Sequence, residues 1–233
     1  MQSQIDSLVT STVARFADIP PTQRLLIAVA GIPGSGKTTL ASRVVKDLNQ
    51  SFGHEVAAMI PMDGYHLTRA QLSALPNPAE SHFRRGAYWT FSAPLLRSLI
   101  VALKAPLSPE SKPIFAASFD HAVKDPVEND IAILPSHMIL VFEGNYLALA
   151  EPKEWREVAE LFDERWFVEV EEEVARERLA WRHVRAGICR DYEEGVKRAE
   201  RNDLVNGRFV VENRFGIDKT LKSVEDGSFK EEA

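Results

Sequence analysis

Two stretches of the chain are apolar without interruption: Leu25-Leu26-Ile27-Ala28-Val29-Ala30 and Met138-Ile139-Leu140-Val141-Phe142. A short run of this kind bounded by turn residues reads as a strand covered on both faces, as in a parallel sheet. Around these runs the periodicity is helical. Ile5, Leu8, Val9, Thr12, Val13 and Phe16 form one stripe, which Pro20-Pro21 ends. Residues 38–49 carry Leu40, Val44, Val45 and Leu48 on one side, and residues 94–104 carry Leu95, Leu96, Leu99, Ile100 and Leu103. The pattern predicts further strands over 56–62, 112–118 and 166–170, and further helices over 152–162, 174–185 and 192–204. Strands alternating with helices imply βαβ crossovers, hence an α/β fold with helices on both faces of a parallel sheet. No internal repeat or low-complexity segment interrupts the pattern. The expected organisation is one domain over residues 1–223, with a polar C-terminal tail over 224–233.

Composition narrows the classes of function. A chain of 233 residues can form one such domain and remove roughly 70–75% of its unfolded surface from water. The net charge is −6, whereas a nucleic-acid binder shows a basic excess. The densest basic stretch, Arg176 to Arg201, is diluted by Glu177, Asp191, Glu193, Glu194 and Glu200, so it reads as a local anion site. Cys189 is the only cysteine; no intrachain disulfide can form, and a reducing compartment is expected. Residues 1–20 lack the apolar core of a secretory signal, and no run of 18 apolar residues occurs. A cytoplasmic location without a membrane span is the expectation. A homodimer is compatible with the sequence but not specified by it.

The sharpest local signal is Gly31-Ile32-Pro33-Gly34-Ser35-Gly36-Lys37-Thr38, which fits the phosphate-loop pattern G-x-x-x-x-G-K-[ST]. Its glycines let backbone N–H groups turn toward phosphate oxygens, and the helix that follows directs its positive end at the same anion. Lys37 is expected to reach the β- and γ-phosphates of ATP, the Thr38 hydroxyl to ligate Mg²⁺, and Thr39 to complete the cradle. A chance match arises in roughly one chain of this length per hundred. The position of the match, between a buried strand and an amphipathic helix, reduces that further.

Ligands in open α/β sheets sit beyond the carboxyl ends of strands. Asp63, in Met62-Asp63-Gly64-Tyr65-His66, ends the second strand there, placed to orient an acceptor hydroxyl and take its proton. Glu143, in Phe142-Glu143-Gly144-Asn145-Tyr146, ends the later apolar strand, where a magnesium-holding acid belongs. Arg178, Arg182 and Arg185 share one helical face, and Arg190 follows Gly187. Like charges stacked in this way repel unless an anion sits among them, so Arg182, Arg185 and Arg190 are candidates for a lid over a transferring phosphoryl group. His66, Arg84, Arg85, Asp120 and His121 are candidate acceptor contacts. The paired arginines suit a carboxylate, a phosphate or several hydroxyls. Six histidines and one cysteine show no zinc spacing.

The GIPGSGKT loop, the MDGYH and VFEGNYL strand ends, the segment Phe83-Arg84-Arg85-Gly86-Ala87, and the arginine-rich stretch Arg178 to Arg185 followed by Arg190-Asp191 together resemble the phosphoribulokinase/uridine kinase family of P-loop kinases. Within it, the small pantothenate kinase-like and sugar kinase-like members are the most similar. The matching pieces span most of residues 25–215. The resemblance implies a P-loop NTPase fold with five parallel strands in order 2-3-1-4-5 and an arginine-rich lid over about 174–205. It implies Asp63 as base, Glu143 as magnesium partner, and Tyr88, Asp120, His121 and Asn145 facing the acceptor. The expected activity is ATP-dependent transfer of the γ-phosphate to a hydroxyl of a small metabolite: a sugar, a nucleoside or a pantothenate-like acceptor. The alternative is a nucleotide-dependent ATPase switch without such an acceptor; the chain carries neither an N-K-x-D nor an LSGGQ-like motif.

Overall fold

The two apolar runs become the middle of the sheet. In the computed structural model, which describes residues 2–223, β1 (Leu25–Gly31) and β5 (Ile139–Glu143) are buried at every position. They run parallel, in register from Leu25 with Ile139 to Val29 with Glu143. β2 (Ala57–Pro61) lies on the far side of β5. β6 (Glu164–Glu169) lies on the far side of β1, and β7 (Lys219–Lys222) pairs beyond β6. All five are parallel, in order β2-β5-β1-β6-β7. Counted along the chain through this sheet alone, that is 2-3-1-4-5. The expected tail, 224–233, lies outside the described residues.

Alternation along these strands divides the core in two. Leu26, Ala28 and Ala30 of β1 and Leu140 and Phe142 of β5 face one cluster. The short helices α3 (Arg69–Ser73) and α4 (Pro78–Phe83) follow β2 in the chain, and the cluster includes residues of α5 (Ala93–Leu103), α6 (Lys153–Ala159) and α7 (Glu172–Arg185). Leu25, Ile27, Val29, Ile139 and Val141 face the other, against α1 (Gln2–Ala17) and α2 (Lys37–Phe52). With both faces covered, the strand sequence has no polar side to show, which is why it reads as an unbroken run.

Residues 112–118 do not join this sheet. They contribute to β3 (Ile114–Asp120), which pairs antiparallel with β4 (Asp125–Ile133) in a separate hairpin. Only Ala116 of β3 is fully buried, so β3 is a half-covered strand, not a central one. The ladder shifts register between Ala116 and Ser118, a bulge that leaves Ala117 without a partner in the pairing. The last helical segment is also longer than its pattern. α8 (Tyr192–Arg198) passes through a π-helical turn, Ala199–Asp203, into α9 (Leu204–Glu212). No helix among the described residues is long and apolar enough to cross a membrane.

Candidate active site

The Gly-rich loop carries the chain from the end of β1 into α2. Gly34 and Gly36 have φ of +80° and +85°, a region that L side chains avoid. A Cβ on Gly34 would lie 2.9 Å from the Ala175 carbonyl, so the first turns of α7 pack directly on the loop. Arg178 fastens this contact. Its Nη1 donates to the Gly34 carbonyl at 3.2 Å and to Ser223 Oγ at 2.8 Å. Arg178 shares a helical face with Arg182 and Arg185, yet it braces the loop. Ile32 and Pro33 are buried, and Ile32 packs against Gly207 of α9. Thr39 is half-buried on the first turn of α2.

Across from the loop, two strand tips converge. Glu143 ends β5 level with Val29 of β1 and Pro61 of β2. Asp63 sits in the 3-10 turn Met62–Tyr65 that follows β2. Glu143 is buried, and its Oε2 accepts from Thr38 Oγ1 at 3.1 Å. Asp63 is half-exposed. Burial pushes Lys37 below the ordinary lysine range; Glu143 and Asp63 oppose that, and Arg182 adds to it. Burial pushes Glu143 up, Lys37 opposes it, and Asp63 reinforces it. These mutual effects put Lys37, Asp63, Glu143 and Arg182 in one electrostatic neighbourhood at the mouth of the loop. The Glu143 carboxylate and the Thr38 hydroxyl are hard oxygen donors. No cluster of three or more His, Cys, Asp or Glu suited to a metal occurs among the described residues. Two protein oxygens fit Mg²⁺, which keeps several waters and takes its remaining ligands from phosphate.

The candidate acceptor residues divide by what already engages them. His66 is packed between Phe91 and Phe119, ring centroids 3.8 and 4.8 Å away. Its Nδ1 lies 2.9 Å from the Asp63 carbonyl, so Nδ1 carries the donated proton and Nε2 is left as an acceptor. Tyr88 stacks on Phe209 at 4.7 Å. The Asn145 Oδ1 is buried without a partner. Arg85 is engaged through both Nη atoms, donating to the Lys124 carbonyl, to Leu67 O at 2.9 Å and to Asp125 Oδ1 at 3.2 Å, while its Nε is buried without a partner; it ties its loop to the β3–β4 hairpin. The Asp120 carboxylate accepts from the Ala122 and Val123 amides at 2.7 and 3.0 Å, capping the hairpin turn, and His121 is exposed beside it. On the arginine-rich helix, Arg182 is the residue that Lys37 and Glu143 feel. Arg185 is exposed, and Arg190 pairs with Glu194 at 3.1 Å.

The structure adds Asp203 and Tyr146 to the site and gives a role to Asn202 and Asn206, whose i, i+4 spacing on a helix suits capping, a surface network or a ligand contact. Asp203, in the π-helical turn, lies 2.8 Å from buried His183 and 3.9 Å from Arg182. Asn202 and Asn206 are buried, and Asn202 Nδ2 donates to the Arg85 carbonyl at 3.1 Å. Tyr146 is buried and bonds through its hydroxyl to the Gly86 carbonyl. The i, i+4 spacing of Asn202 and Asn206 was the available signal; a π-helical turn has none.

One pH effect follows from His66. Burial holds its pKa below the ordinary histidine value, against opposing effects from Asp63. The unfolded chain therefore binds a proton here that the folded chain resists, and His66 costs stability as pH falls through about 6.5. Thermal melts should show wild type losing stability relative to His66→Gln between pH 7.5 and 5.5. A difference that stays constant over that range would contradict the burial effect.

A parallel sheet whose first strand runs through a glycine loop into a helix, with acidic strand tips facing a loop lysine, is the arrangement of a P-loop kinase. The chain belongs to the phosphoribulokinase/uridine kinase family, whose sequence profile matches residues 26–198. A Schizosaccharomyces pombe relative, provisionally named a uridine kinase, is 43% identical over 202 residues, 87% of this chain and 84% of that protein. The ATP-dependent kinase-like protein notR' of Aspergillus versicolor is 45% identical over 161 residues, 69% of this chain and 92% of that one. Among solved structures, a provisionally named fructose transport system kinase from Silicibacter sp. TM1040 superposes with a TM-score of 0.80 at 29% identity, over 93% of this chain and 98% of that one. The protein is accordingly an ATP-using P-loop kinase of small molecules.

Proposed function

We propose that the protein transfers the γ-phosphate of ATP to a hydroxyl of a small metabolite, with Asp63 as the base. The observation that carries this reading is the convergence of two acids on the phosphate loop: Glu143 accepts from Thr38 Oγ1 at 3.1 Å and lies in register with Pro61, two residues before Asp63. Residues Gly31 to Thr39 would cradle the triphosphate with main-chain amides, and Lys37 would sit against its β- and γ-oxygens. Thr38 and Glu143 would hold Mg²⁺, which supplies charge neutralisation of the phosphates. Asp63 is half-exposed, which suits a base that must meet an arriving hydroxyl. It would orient that hydroxyl and accept its proton as the O–P bond forms and ADP leaves. The segment of about 174–205 would act as a lid, with Arg182 closest to the transferring group and Arg185 and Arg190 brought in on closure.

The test is a metabolite panel with ATP and Mg²⁺, read by mass as a gain of one phosphoryl group. ADP release should depend on a particular acceptor. ADP release that is the same with and without every acceptor would overturn the reading in favour of an ATPase switch.

A further inference from the structure

Arg84 and Arg85 are adjacent, but the fold uses them differently. The Nε of each is buried without an acceptor, but Arg85 places both Nη atoms on two carbonyls and on Asp125, which supplies a counter-charge at 3.2 Å, and it also covers the Phe119 ring at 5.3 Å. Arg84 is half-buried, yet no described carboxylate pairs with it. Its Nη2 donates to Asn206 Oδ1 at 2.8 Å, and its Nε is buried without an acceptor. A half-buried guanidinium with one neutral partner keeps both unused donors and a charge without a counter-charge.

The place of this cation is the wall of the proposed acceptor site. Arg84 begins the loop whose Gly86 carbonyl takes the Tyr146 hydroxyl. The Phe91 ring links that phenol to the proposed base: it lies 5.5 Å from the Tyr146 ring and 3.8 Å from the His66 ring, and His66 Nδ1 lies 2.9 Å from the Asp63 carbonyl. Asp203 makes no ion pair with Arg84; its carboxylate lies 2.8 Å from His183 and 3.9 Å from Arg182. Next to Tyr146, Asn145 holds a second unpartnered polar atom. In a chain of net charge −6, leaving a half-buried arginine without an acid points to an acid that arrives with the ligand.

We infer that the acceptor is an anion: a hydroxylated molecule whose carboxylate or phosphate pairs with the Arg84 guanidinium while Asp63 faces its reacting hydroxyl. This rests on the kinase reading and narrows its substrate class. A neutral polyol could accept a hydrogen bond from the arginine through a hydroxyl oxygen, but would leave its charge without a counter-charge. A carboxylate or phosphate offers two oxygens to the guanidinium fork.

The test compares matched pairs that differ in charge: gluconate against glucose, glycerate against glycerol, and ribose 5-phosphate against ribose. Binding is measured by calorimetry on protein saturated with Mg²⁺ and the β,γ-imido analogue of ATP, so that the nucleotide fills the phosphate loop. At least one anionic member should bind about tenfold or more tightly than its neutral partner, the discrimination expected of a charged hydrogen bond. Arg84→Gln should lose that ratio, and Arg84→Lys should retain part of it. Unchanged affinity for the ATP analogue shows that both variants are folded. If no anion outbinds its partner, or if Arg84→Gln binds the anion as tightly as wild type, the inference fails. Turnover with ATP is read separately. An anion that binds through Arg84 but is never phosphorylated, with ATP hydrolysis unaffected by it, would overturn the kinase reading and leave the anion site standing.

Discussion

Replacing Asp63 by Asn should lower kcat about 10²- to 10⁴-fold, the range ascribed to a positioned acid or base. It should leave affinity for the β,γ-imido analogue of ATP within about threefold. Asn has nearly the shape of Asp and still accepts a hydrogen bond, so it can orient a hydroxyl, but it cannot take the proton. The remaining rate would come from the phosphate loop, Lys37 and Arg182 holding the reacting groups. Stability should change little. The Asp63 side chain is half-exposed, and its 3.9 Å contact with His66 is to a ring whose burial disfavours the charged form; surface changes of this sort lie within about 0.5 kcal/mol. Separation of these three readouts makes the experiment informative. A fall in kcat with analogue binding and melting temperature preserved isolates the chemical step. A variant that turned over at the wild-type rate would remove Asp63 from the mechanism.

The parts that sequence made legible are those in which one physical requirement fixes a residue pattern. β1 and β5 show as apolar runs because both faces are covered. The phosphate loop shows because Gly34 and Gly36 adopt positive φ at fixed spacing. Asp63 and Glu143 show because a polar residue after a buried strand lies at the sheet's carboxyl edge. Where several structures satisfy one pattern, the reading branched. A short apolar segment such as Ile114-Phe115-Ala116-Ala117 suits a central parallel strand or a half-covered hairpin strand, and here it is the second. The hairpin turn gave no warning, since its left-handed position is taken by Lys124 and not by glycine. β7 is four residues with two lysines and one buried side chain, Leu221; its charge suits a sheet edge and conceals it from periodicity. Long-range partners were invisible. Nothing local distinguishes Arg84 from Arg85, or Arg178 from Arg182. Their tasks are set by Asn206, Asp125, Gly34 and Lys37, all distant in sequence.

The second large effect concerns Gly64, the residue after the proposed base. A Cβ there would lie 2.1 Å from the Ala117 carbonyl oxygen and 2.4 Å from its carbon. Both are backbone atoms, held at the bulge of the β3–β4 hairpin, so no side-chain rotation relieves the contact and no substitution at Ala117 removes it. Gly144 is constrained from the other side, its Cβ position lying 2.4 Å from that of Met62. The turn carrying Asp63 is thus pressed between the hairpin and the residue after Glu143, and glycine at 64 and 144 is what allows the two acids to converge. Gly64→Ala must displace either the hairpin or the turn. Overpacking of this kind costs about 1–3 kcal/mol, which for a domain of this size is a fall in melting temperature of roughly 2–12 °C. Affinity for the ATP analogue should persist, because the phosphate loop hangs from β1, whereas transfer to the acceptor should fall with the displacement of Asp63 and His66. A Gly64→Ala protein that melted and turned over like wild type would mean that the hairpin yields freely. The close packing of turn and hairpin would then not be what positions the base.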